Sequence, residues 1–473
     1  MSTATTTKLR VPHFVRGRLV WGEDNEYLSR DFGVPFVTPK IEFNELIPPR
    51  TELGPAFNVP VSEIIDYLVE VGKQLVLEKN EYLQESLELT AQVSALPRRI
   101  IENTFHRPGQ FLTREALEYR IQRIFGGPEV LDGWVEHTDP NGRVSRVRAF
   151  PPRLVHMLAG NSPSGAITSI ADAALVKAIN VFKMPSADPF TTVAVLRTMA
   201  DVDPDHPTLR SMSAVYWRGG DASIESVLYR SQYFDKLVAW GGGDAIANAV
   251  KYTGPGFHLV AFDPKVSMAI IGREAFESEE TLREVADLAA KDATVYNQDA
   301  CVAPRHIYVE TDVEEGVEGS FEQIDRFCEL LCERMAVDRE FASAVGPKTP
   351  SDIREAVEGM RFLEPDYRIW GSYDGTGLVV RSPEPVDFHP TNKTVNVVPV
   401  RSMLDATAFA TVATQTVGIY PTHRKAEVRD RLATAGVQRV AKLGSALGGT
   451  LGNPHDGMYP LHRFVNWVAD DDG

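Results

Sequence analysis

Residues 153–184 read RLVHMLAGNSPSGAITSIADAALVKAINVFKM, and they contain the clearest pattern of secondary structure in the chain. It contains an apolar run at Leu154–Leu158, a loop of small residues, a helical pattern near 164–178 and a second apolar run at Asn180–Met184. A strand, a helix and a strand in this order form a βαβ unit, which pairs its two strands in parallel.

The same alternation continues to about Gly272. Further strands are predicted at Ser213–Trp217, Leu237–Trp240 and Phe257–Phe262, and helices are predicted near 189–200, 221–230 and 243–251. A parallel sheet covered by helices on both faces binds its ligands beyond the carboxyl ends of its strands. The sequence therefore predicts an α/β nucleotide-binding domain over residues 61–272.

The chain before this sheet follows other patterns. Residues 1–60 are rich in proline and polar residues, which predicts an irregular N-terminal extension with one strand at Phe14–Trp21. The pattern changes at Val61. Apolar residues recur at helical spacing after Ser62, a candidate N-cap, and helices are predicted, with breaks, to about Phe125. Residues 133–150 contain two alternating runs around Asp139–Gly142, whose turn chemistry predicts a long β-hairpin.

The chain after the sheet predicts a second α/β region. A helix is expected from about Thr281, where Thr281 and Glu284 would form a capping box, and a strand follows at Arg305–Glu310. We expect a catalytic domain over residues 273–442, with its second α/β part at about 320–440. A C-terminal segment, 443–473, begins rich in glycine and closes with an apolar, strand-like run.

Composition excludes several classes of protein. Of the 473 residues, 43% are apolar and 24% are charged, as in ordinary globular proteins. The net charge of −16 argues against a nucleic-acid partner. Three cysteines give no disulfide framework, which favours the reducing cytoplasm. The N-terminus lacks the apolar block of a signal peptide, and no run approaches the ~18 apolar residues of a membrane span.

Cys301 is the first candidate for chemistry. It lies in a loop between a predicted helix and a predicted strand, where a thiol can be positioned for nucleophilic attack. The alternative is a small buried hydrophobic residue, a common fate of cysteine. Cys328 and Cys332 stand four apart on a predicted helix. No histidine or further cysteine accompanies them, so core packing explains them better than a metal site.

Three further candidates lie where predicted strands end. The loop Gly160–Gly165 contains Asn161, whose amide could donate to an oxyanion, and it opens a helix of the kind that binds anions. Lys183 ends the next strand and could reach a ribose or a phosphate. Gly241, Gly242 and Gly243 precede another helix and could bring backbone N–H groups to a pyrophosphate. Each also has a purely structural explanation as a loop, cap or solvated charge.

The last candidate is His455, in the turn Gly452–Gly457 beside Asp456. A histidine next to an aspartate could act as an acid–base unit, although such a turn is also an ordinary loop. Arg463 and the closing apolar run are expected to pack against this turn and hold it in place.

The order of these features resembles the aldehyde dehydrogenase superfamily over about residues 60–468. Within it, the chain is similar to the long-chain acyl-CoA reductase family of bacterial bioluminescence operons, on the segments Asn297–Cys301, Trp240–Gly242 and Pro454–Gly457. The resemblance implies an aldehyde dehydrogenase-like α/β fold with two Rossmann-like domains and a β-hairpin oligomerisation element. The hairpin and the C-terminal run would then contribute to a homo-oligomer, either a dimer or a tetramer.

The resemblance also implies roles for the candidate residues. Cys301 would be the nucleophile, and Asn161 with the backbone N–H of Cys301 would form the oxyanion hole. Lys183 would bind the adenosine ribose, and the glycine turn would lie beside the cofactor phosphates. His455 is a candidate proton donor. An acyl-transferring synthetase or an acyl carrier could deliver the acyl chain.

Two departures from the superfamily pattern decide the predicted reaction. Aldehyde-oxidising members carry a glutamate base on the strand after the glycine turn, where this chain has Val260 or Ala261. A second glutamate, which holds the nicotinamide ribose, would fall near Val395. Without a base to activate water, a thioester at Cys301 persists. Coenzyme A, a good thiol leaving group, could then leave from an acyl-CoA before hydride reduces the acyl-enzyme to an aldehyde.

The cofactor prediction depends on Ser186. NAD-preferring relatives place a glutamate three residues after the lysine, whereas serine does not repel a 2′-phosphate. We therefore predict NADPH, with NADH as the alternative, although the sequence identifies no arginine for the phosphate. One competing function is an NAD(P)-dependent aldehyde dehydrogenase that oxidises aldehydes to acids. Another is a non-catalytic nucleotide-binding or scaffold protein, which Cys301 and Asn161 together argue against.

Overall fold

The computed structural model describes residues 8–161, 163–312 and 321–471, except for the side chains of Pro163 and Ser164. The chain divides into two compact units. The first contains the residues up to Asp263 and those from Leu451 onward, and the second spans Pro264–Thr450. These boundaries replace the predicted ones at 272 and 442. The strand Val266–Ile271 explains the first difference, because it pairs inside the second unit's sheet.

The strands are numbered along the chain: β1 Leu9–Arg10, β2 His13–Val15, β3 Arg18–Val20, β4 Asn25–Leu28, β5 Pro35–Thr38, β6 Val135–Thr138, β7 Val144–Phe150, β8 Arg153–Met157, β9 Ile179–Lys183, β10 Met212–Val215, β11 Lys236–Trp240, β12 His258–Phe262, β13 Val266–Ile271, β14 Pro304–Glu310, β15 Arg368–Ser372, β16 Gly377–Arg381, β17 Thr394–Val400, β18 Thr414–Tyr420, β19 Arg439–Lys442 and β20 Asn466–Asp471.

The helices are α1 Phe43–Leu46, α2 Val61–Gln74, α3 Glu81–Val93, α4 Arg98–Phe105, α5 Arg114–Phe125, α6 Glu129–Asp132, α7 Pro163–Leu175, α8 Thr191–Val202, α9 Pro207–Arg210, α10 Ala222–Leu228, α11 Gly243–Val250, α12 Glu279–Ala293, α13 Glu322–Met335, α14 Ser351–Met360, α15 Lys425–Ala435 and α16 Pro460–Phe464.

The main sheet of the first unit has the strand order β12-β11-β8-β9-β10-β2-β3. Its first five strands are parallel, and the five strands predicted between 154 and 262 are confirmed to within a residue or two at each end. All five residues of β8 are buried, which is expected of a parallel strand covered on both faces.

Three details of the predicted N-terminal half were wrong. The single strand at Phe14–Trp21 is a hairpin of β2 and β3, because Arg16 and Gly17 turn the chain with φ of 47° and 92°. The extension is not irregular, since β1, β5 and β4 form a small sheet. Helix α2 begins at Val61 after Pro60, so Ser62 is not its N-cap.

The hairpin at 133–150 is confirmed as β6 and β7. The Asp139 carboxylate accepts hydrogen bonds from the backbone N–H groups of Asn141 at 2.7 Å and Arg143 at 2.9 Å, which closes the turn. Strand β20 pairs antiparallel with β7, so the C-terminal run completes a three-stranded sheet, β20-β7-β6. The Lys236 ammonium donates to three backbone carbonyls of the C-terminal segment, those of Arg463, Phe464 and Val465, at 2.6–2.8 Å.

The second unit contains the sheet β15-β16-β17-β14-β13-β18-β19, in which only the β15–β16 pairing is antiparallel. Helices α12 and α13 pack on this sheet and bury a core that includes Val285, Ile307 and Cys328. Helix α12 begins at Glu279, with Ser278 accepting from the Thr281 N–H. The predicted capping box at Thr281 and Glu284 is therefore wrong by one turn.

Two kinds of feature are absent from the part of the chain that the structure describes. None of its helices is both long and apolar enough to cross a membrane. No group of three or more histidine, cysteine, aspartate or glutamate side chains in it could hold a metal ion.

Candidate active site

Cys301 is exposed, in the turn between a 3-10 helix, Val295–Gln298, and β14 of the second unit. Its backbone carbonyl accepts a hydrogen bond of 2.7 Å from the Ser267 hydroxyl. The same hydroxyl accepts from the Thr416 N–H at 3.2 Å. The main chain of Cys301 is thus anchored to β13 and β18, while the residue itself is exposed.

The segment before Cys301 has an unusual backbone. Tyr296, Asn297 and Gln298 are all buried and have φ of 52°, 53° and 75°. Each left-handed non-glycine residue costs about 1 kcal/mol or more and persists only where its surroundings enforce it. The Tyr296 N–H donates to the Phe341 carbonyl at 2.7 Å, and the Asn297 side chain accepts from the Ser343 N–H at 2.9 Å.

Gln298 has two side-chain bonds to one distant residue. Its amide donates to the Thr394 carbonyl at 2.7 Å and accepts from the Thr394 N–H at 3.0 Å. The adjacent Lys393 ammonium donates to the carbonyls of Ser343 and Ala344 at 2.9 Å each, and burial lowers the pKa of Lys393 to about 8. The turn that carries Cys301 is therefore held by segments far away along the chain.

The other two cysteines differ from Cys301 in environment. Cys328 is fully buried in α13, and burial raises the pKa of its thiol well above the ordinary value. Cys332 is partly buried, and burial raises its pKa to about 11. Both side chains are neutral thiols at physiological pH, as expected of residues that pack rather than react.

In the first unit, Asn161 follows β8 in a loop that packs against the loop after β9. A Cβ on Gly160 would lie 3.0 Å from the Ala187 Cβ and 3.2 Å from the Pro185 Cβ, so glycine allows the two loops to approach without either of these side chains moving. Asn161 itself is half-buried. Ser162 of the same predicted loop lies outside the described residues, and the oxyanion role of Asn161 stays a prediction.

Lys183 and Ser186 meet a third residue, Tyr216, at the carboxyl edge of the parallel strands. The Lys183 ammonium lies 5.9 Å from the Tyr216 ring centroid and 5.6 Å from that of Trp217. The Ser186 hydroxyl is hydrogen-bonded to the Tyr216 phenol, while burial raises the pKa of that phenol to about 12. Burial lowers the pKa of Lys183 to about 8, and the charge of Glu225 opposes that shift.

Arg218 is a site residue that the sequence did not identify. It is exposed, it lies just beyond β10, after Tyr216 and Trp217, and its charge acts on Tyr216. No ion pair to another described residue engages its guanidinium, which leaves its positive charge acting on Tyr216, the residue that also contacts Ser186 and Lys183. Its position just after the predicted strand Ser213–Trp217 was a usable signal, because that strand ends at the same edge of the sheet as Lys183.

The three glycines of the turn after β11 are not equivalent. A Cβ on Gly241 would lie 2.9 Å from the Ala245 Cβ, so this glycine is required by packing against the first turn of α11. A Cβ on Gly242 or on Gly243 would have nothing within 4 Å, and both of these glycines are exposed. Their backbone groups are accessible at the N-terminus of α11.

His455 is brought next to this turn by ring contacts within the first unit. The rings of Trp240 and Phe262 stack at 3.5 Å with an interplanar angle of 4°. The His455 ring lies 5.2 Å from Trp240 and 5.4 Å from Phe262. The two positions expected for a glutamate base, Val260 and Ala261, lie in β12 beside this stack and carry no titratable group.

The position near Val395 is equally unsuited to an acid. Val395 is fully buried in the core of the second unit. The next residue, Asn396, is buried as well and donates to the Val380 carbonyl at 3.0 Å and to the Ser382 hydroxyl at 2.7 Å. Its side-chain carbonyl lies 3.1 Å from the His306 ring, so this region is a satisfied polar network inside the sheet.

The fold is that of the aldehyde dehydrogenases. The structure is similar, for example, to that of an NAD-dependent aldehyde dehydrogenase from Sinorhizobium meliloti, with a TM-score of 0.71 and 13% sequence identity. This similarity covers 99% of this chain and 96% of that one.

The family follows from sequence. Residues 56–467 match the family model for Acyl-CoA reductase (LuxC), and the chain belongs to this family. It is 28% identical to a long-chain acyl-protein thioester reductase of Vibrio harveyi, over 98% of this chain and 93% of the relative. A protein of the same name from Photorhabdus luminescens is 30% identical, over 74% of this chain and 69% of the relative.

Proposed function

We propose that this protein reduces a long-chain acyl thioester to the aldehyde with NADPH, through an acyl thioester on Cys301. The observation that carries the proposal is the exposed Cys301 on a buried, multiply anchored turn, in a chain of the acyl-CoA reductase (LuxC) family. The first acyl donor to test is acyl-CoA. The names of the relatives make an acyl-protein the second donor to test.

The proposed cycle begins when the Cys301 thiolate attacks the acyl carbonyl carbon. The new bond between Cys301 sulfur and carbon forms, the bond to the CoA sulfur breaks, and CoA takes up a proton. NADPH, when bound, supplies a hydride to the acyl carbon. Asn161 is proposed to donate to the developing oxyanion, a role worth about 3–4 kcal/mol where such donors are removed. The Cys301 sulfur then leaves as the aldehyde forms.

His455 is proposed as the group that exchanges a proton at the substrate oxygen. Its ring lies against Trp240 and Phe262, and its imidazole is the side chain suited to proton transfer near neutral pH. A His455→Gln variant would retain hydrogen bonding without proton transfer. We expect it to lower kcat and to alter its pH dependence, while the affinity for NADPH stays unchanged.

Reduction is favoured over hydrolysis because β12 carries no carboxylate at Val260 or Ala261, the positions expected for the base. A water molecule needs a general base to attack a thioester at neutral pH. Val260 is buried, and the carboxyl end of β12 is covered by the stacked rings of Trp240 and Phe262. These features support an acyl-enzyme that persists until a hydride arrives.

The donor set of the first unit fits NADPH. Lys183 and Arg218 provide two cations at one edge of the sheet, and both act on Tyr216, whose phenol is hydrogen-bonded to the Ser186 hydroxyl. Neither Ser186 nor Tyr216 carries a negative charge at neutral pH that would repel a 2′-phosphate. The open backbone at Gly242 and Gly243 suits a pyrophosphate at the N-terminus of α11. Arginine is well suited to bind phosphate through paired N–H groups.

The test is a direct assay with long-chain acyl-CoA and NADPH. We expect steady NADPH oxidation, release of CoA thiol and formation of aldehyde. Omitting NADPH should trap the acyl group on Cys301, seen as a mass increase on the peptide that contains it. A Cys332→Ala variant is the matched control and should retain turnover.

Three outcomes would contradict the proposal. Turnover that survives Cys301→Ala excludes the covalent route. Reduction of NAD or NADP by aldehyde and water, with no CoA-dependent reaction, identifies an aldehyde-oxidising enzyme instead. Binding of NADPH with neither reaction, across acyl-CoA and acyl-protein donors, identifies a non-catalytic nucleotide-binding protein.

We also propose a homo-oligomer that uses the sheet β20-β7-β6. Its two outer strands have no further strand paired to them among the described residues, and Trp134 and Trp467 are exposed there at 41% and 45%. Light scattering should give a dimer or tetramer mass. Trp467→Glu should lower that mass, whereas an unchanged monomer mass in the parent protein would refute the proposal.

A further inference from the structure

Arg305 is a buried cation close behind Cys301 at the start of β14. It is 9% exposed. Its guanidinium donates to the Gln298 carbonyl at 3.2 Å and, through its other terminal nitrogen, to the Pro390 carbonyl. Its Nε has no hydrogen-bond partner among the described residues. Both bonded partners are neutral carbonyls, so no salt bridge within the described chain neutralises Arg305.

The charges around Arg305 identify what its positive charge acts on. The negative charges of Asp299 and of an ionised Cys301 stabilise the charged guanidinium, against the desolvation that lowers its pKa. Both of those residues are exposed, while Arg305 lies buried beneath them. Burial lowers the pKa of the His306 and His389 imidazoles, and the positive charge of Arg305 also acts to lower both. Both shifts favour the neutral form of the imidazole.

Electrostatic interactions are reciprocal. If an anion at Cys301 stabilises the Arg305 cation, the cation stabilises that anion by the same amount. A buried charge is poorly screened by salt, so its effect on a neighbouring sulfur is stronger than that of an exposed lysine. The Asp299 carboxylate acts in the opposite direction.

We propose that Arg305 is the positioning residue of Cys301: its guanidinium holds the Gln298 carbonyl of the left-handed turn and keeps the cysteine sulfur as a thiolate. This rests on the proposed function, in which the thiolate is the attacking group. Thiolates, not thiols, attack thioesters and alkylating agents, so the same property can be measured without acyl donor or cofactor.

The experiment is alkylation of the full-length protein by iodoacetamide between pH 7 and 9.5, read by mass spectrometry of the Cys301 peptide. His306 and His389 do not titrate in this range. Cys328 and Cys332, whose thiol pKa values are raised by burial, serve as slow internal controls. We expect wild-type Cys301 to reach half its maximal rate clearly below the ~8.5 of an ordinary cysteine.

Three variants distinguish the effect of the charges near Cys301 from the effect of the hydrogen bonds that Arg305 makes. Arg305→Met should slow alkylation at pH 7 about tenfold and move the midpoint upward. Arg305→Lys, which keeps a charge but lacks the planar, forked donor geometry of the guanidinium, should recover most of the rate. Asp299→Asn lies on the surface and should raise the rate a few-fold.

Two results would overturn the proposal. One is a wild-type midpoint at or above that of an ordinary thiol, which needs no variant and is independent of whether Arg305→Met folds. The other is a folded Arg305→Met protein with wild-type alkylation. Failure of the proposed function gives a different pattern, in which alkylation depends on Arg305 but no acyl thioester is reduced.

Discussion

The two seven-stranded sheets support their candidate chemistry in different ways. In the first unit, Lys183, Arg218 and the glycine turn lie at or just beyond the carboxyl ends of three strands of one parallel sheet, β9, β10 and β11, and each is positioned by its own strand. In the second unit, Cys301 precedes its strand. Its turn depends on Gln298, which binds Thr394 96 residues away. Where a site is assembled from strand ends, each residue is positioned by the sequence next to it. A turn with left-handed residues is instead held in place by hydrogen bonds to residues far away in the sequence.

One strongly buried group in each unit responds to pH, and the two respond in opposite directions. In the first unit, burial lowers the pKa of His156 to about 4, and its ring stacks on Phe182. In the second unit, burial raises the pKa of Asp292 to about 6, and its carboxylate accepts from the N–H groups of Gly444 and Ala446.

The largest expected effect is an opposite response of the two units to acid. The contribution of His156 is present above its unfolded pKa near 6.5 and is lost as pH falls through about 4. The contribution of Asp292 is present below its unfolded pKa near 3.8 and is lost as pH rises through about 6. Each is worth on the order of 3 kcal/mol over its range. Between pH 7 and 4.5, the first unit should lose protection while the second gains it.

Hydrogen exchange, corrected for intrinsic rates and read by peptide, distinguishes the units. His156→Phe should flatten the response of the first unit alone, and Asp292→Asn that of the second alone. A parallel loss of protection in both units would show that other groups dominate their pH dependence.

Gln298→Leu should give the next largest effect. It removes the side-chain partner of the buried Thr394 carbonyl and one of the two acceptors of the Thr394 N–H, which also donates to the Thr391 carbonyl, and we expect a cost of about 2 kcal/mol. The second unit should unfold at lower urea concentration, and alkylation of Cys301 should slow as its turn relaxes. Gln122→Leu is the matched control, because its exposed amide bonds a single carbonyl, that of Gly126. If both variants destabilised the protein equally, the buried Gln298 bonds would contribute no more to stability than one exposed side-chain hydrogen bond, which would contradict the prediction.

This contrast also explains what the sequence could predict. The strands of the first sheet, Lys183 and the glycine turn were found because apolar runs and small residues mark strand ends locally. Arg218 was missed because its relation to Ser186 passes through Tyr216, a contact across strands. The supports of Cys301 were not predictable, since no periodicity relates Gln298 to Thr394 or Lys393 to Ser343. The hairpin β2–β3 was missed because Arg16, a non-glycine residue, adopts a positive φ.

Substitutions at the strand ends of the first unit should change cofactor binding without altering Cys301. Lys183→Met should raise KM for NADPH and NADH alike. Arg218→Ser should raise KM for NADPH about tenfold, equivalent to about 1.4 kcal/mol, and leave KM for NADH unchanged. Arg230→Ser, another exposed arginine of the same unit, is the control. Equal effects of Arg218→Ser on the two cofactors would refute its assignment to the 2′-phosphate.

The smallest expected effect compares two glycines with no left-handed requirement, one from each unit. Gly242→Ala adds a methyl group with nothing within 4 Å, so stability should not change and only NADPH affinity should fall. On Gly346, a Cβ would lie 3.0 Å from the Lys393 Cδ and 3.4 Å from Asn297.

Gly346→Ala therefore crowds the side chains that hold the Cys301 turn. Because the Lys393 ammonium is fixed by two carbonyls, its stem cannot move aside without weakening those bonds, and we expect a loss of about 1 kcal/mol. Gly346→Ala should lower the urea concentration at which the protein unfolds and should change the rate of Cys301 alkylation. Gly242→Ala should change only the affinity measured by NADPH titration. If Gly346→Ala left alkylation unchanged, the reactive turn would be insensitive to its distant supports, and the two units would not differ in the way their geometry indicates.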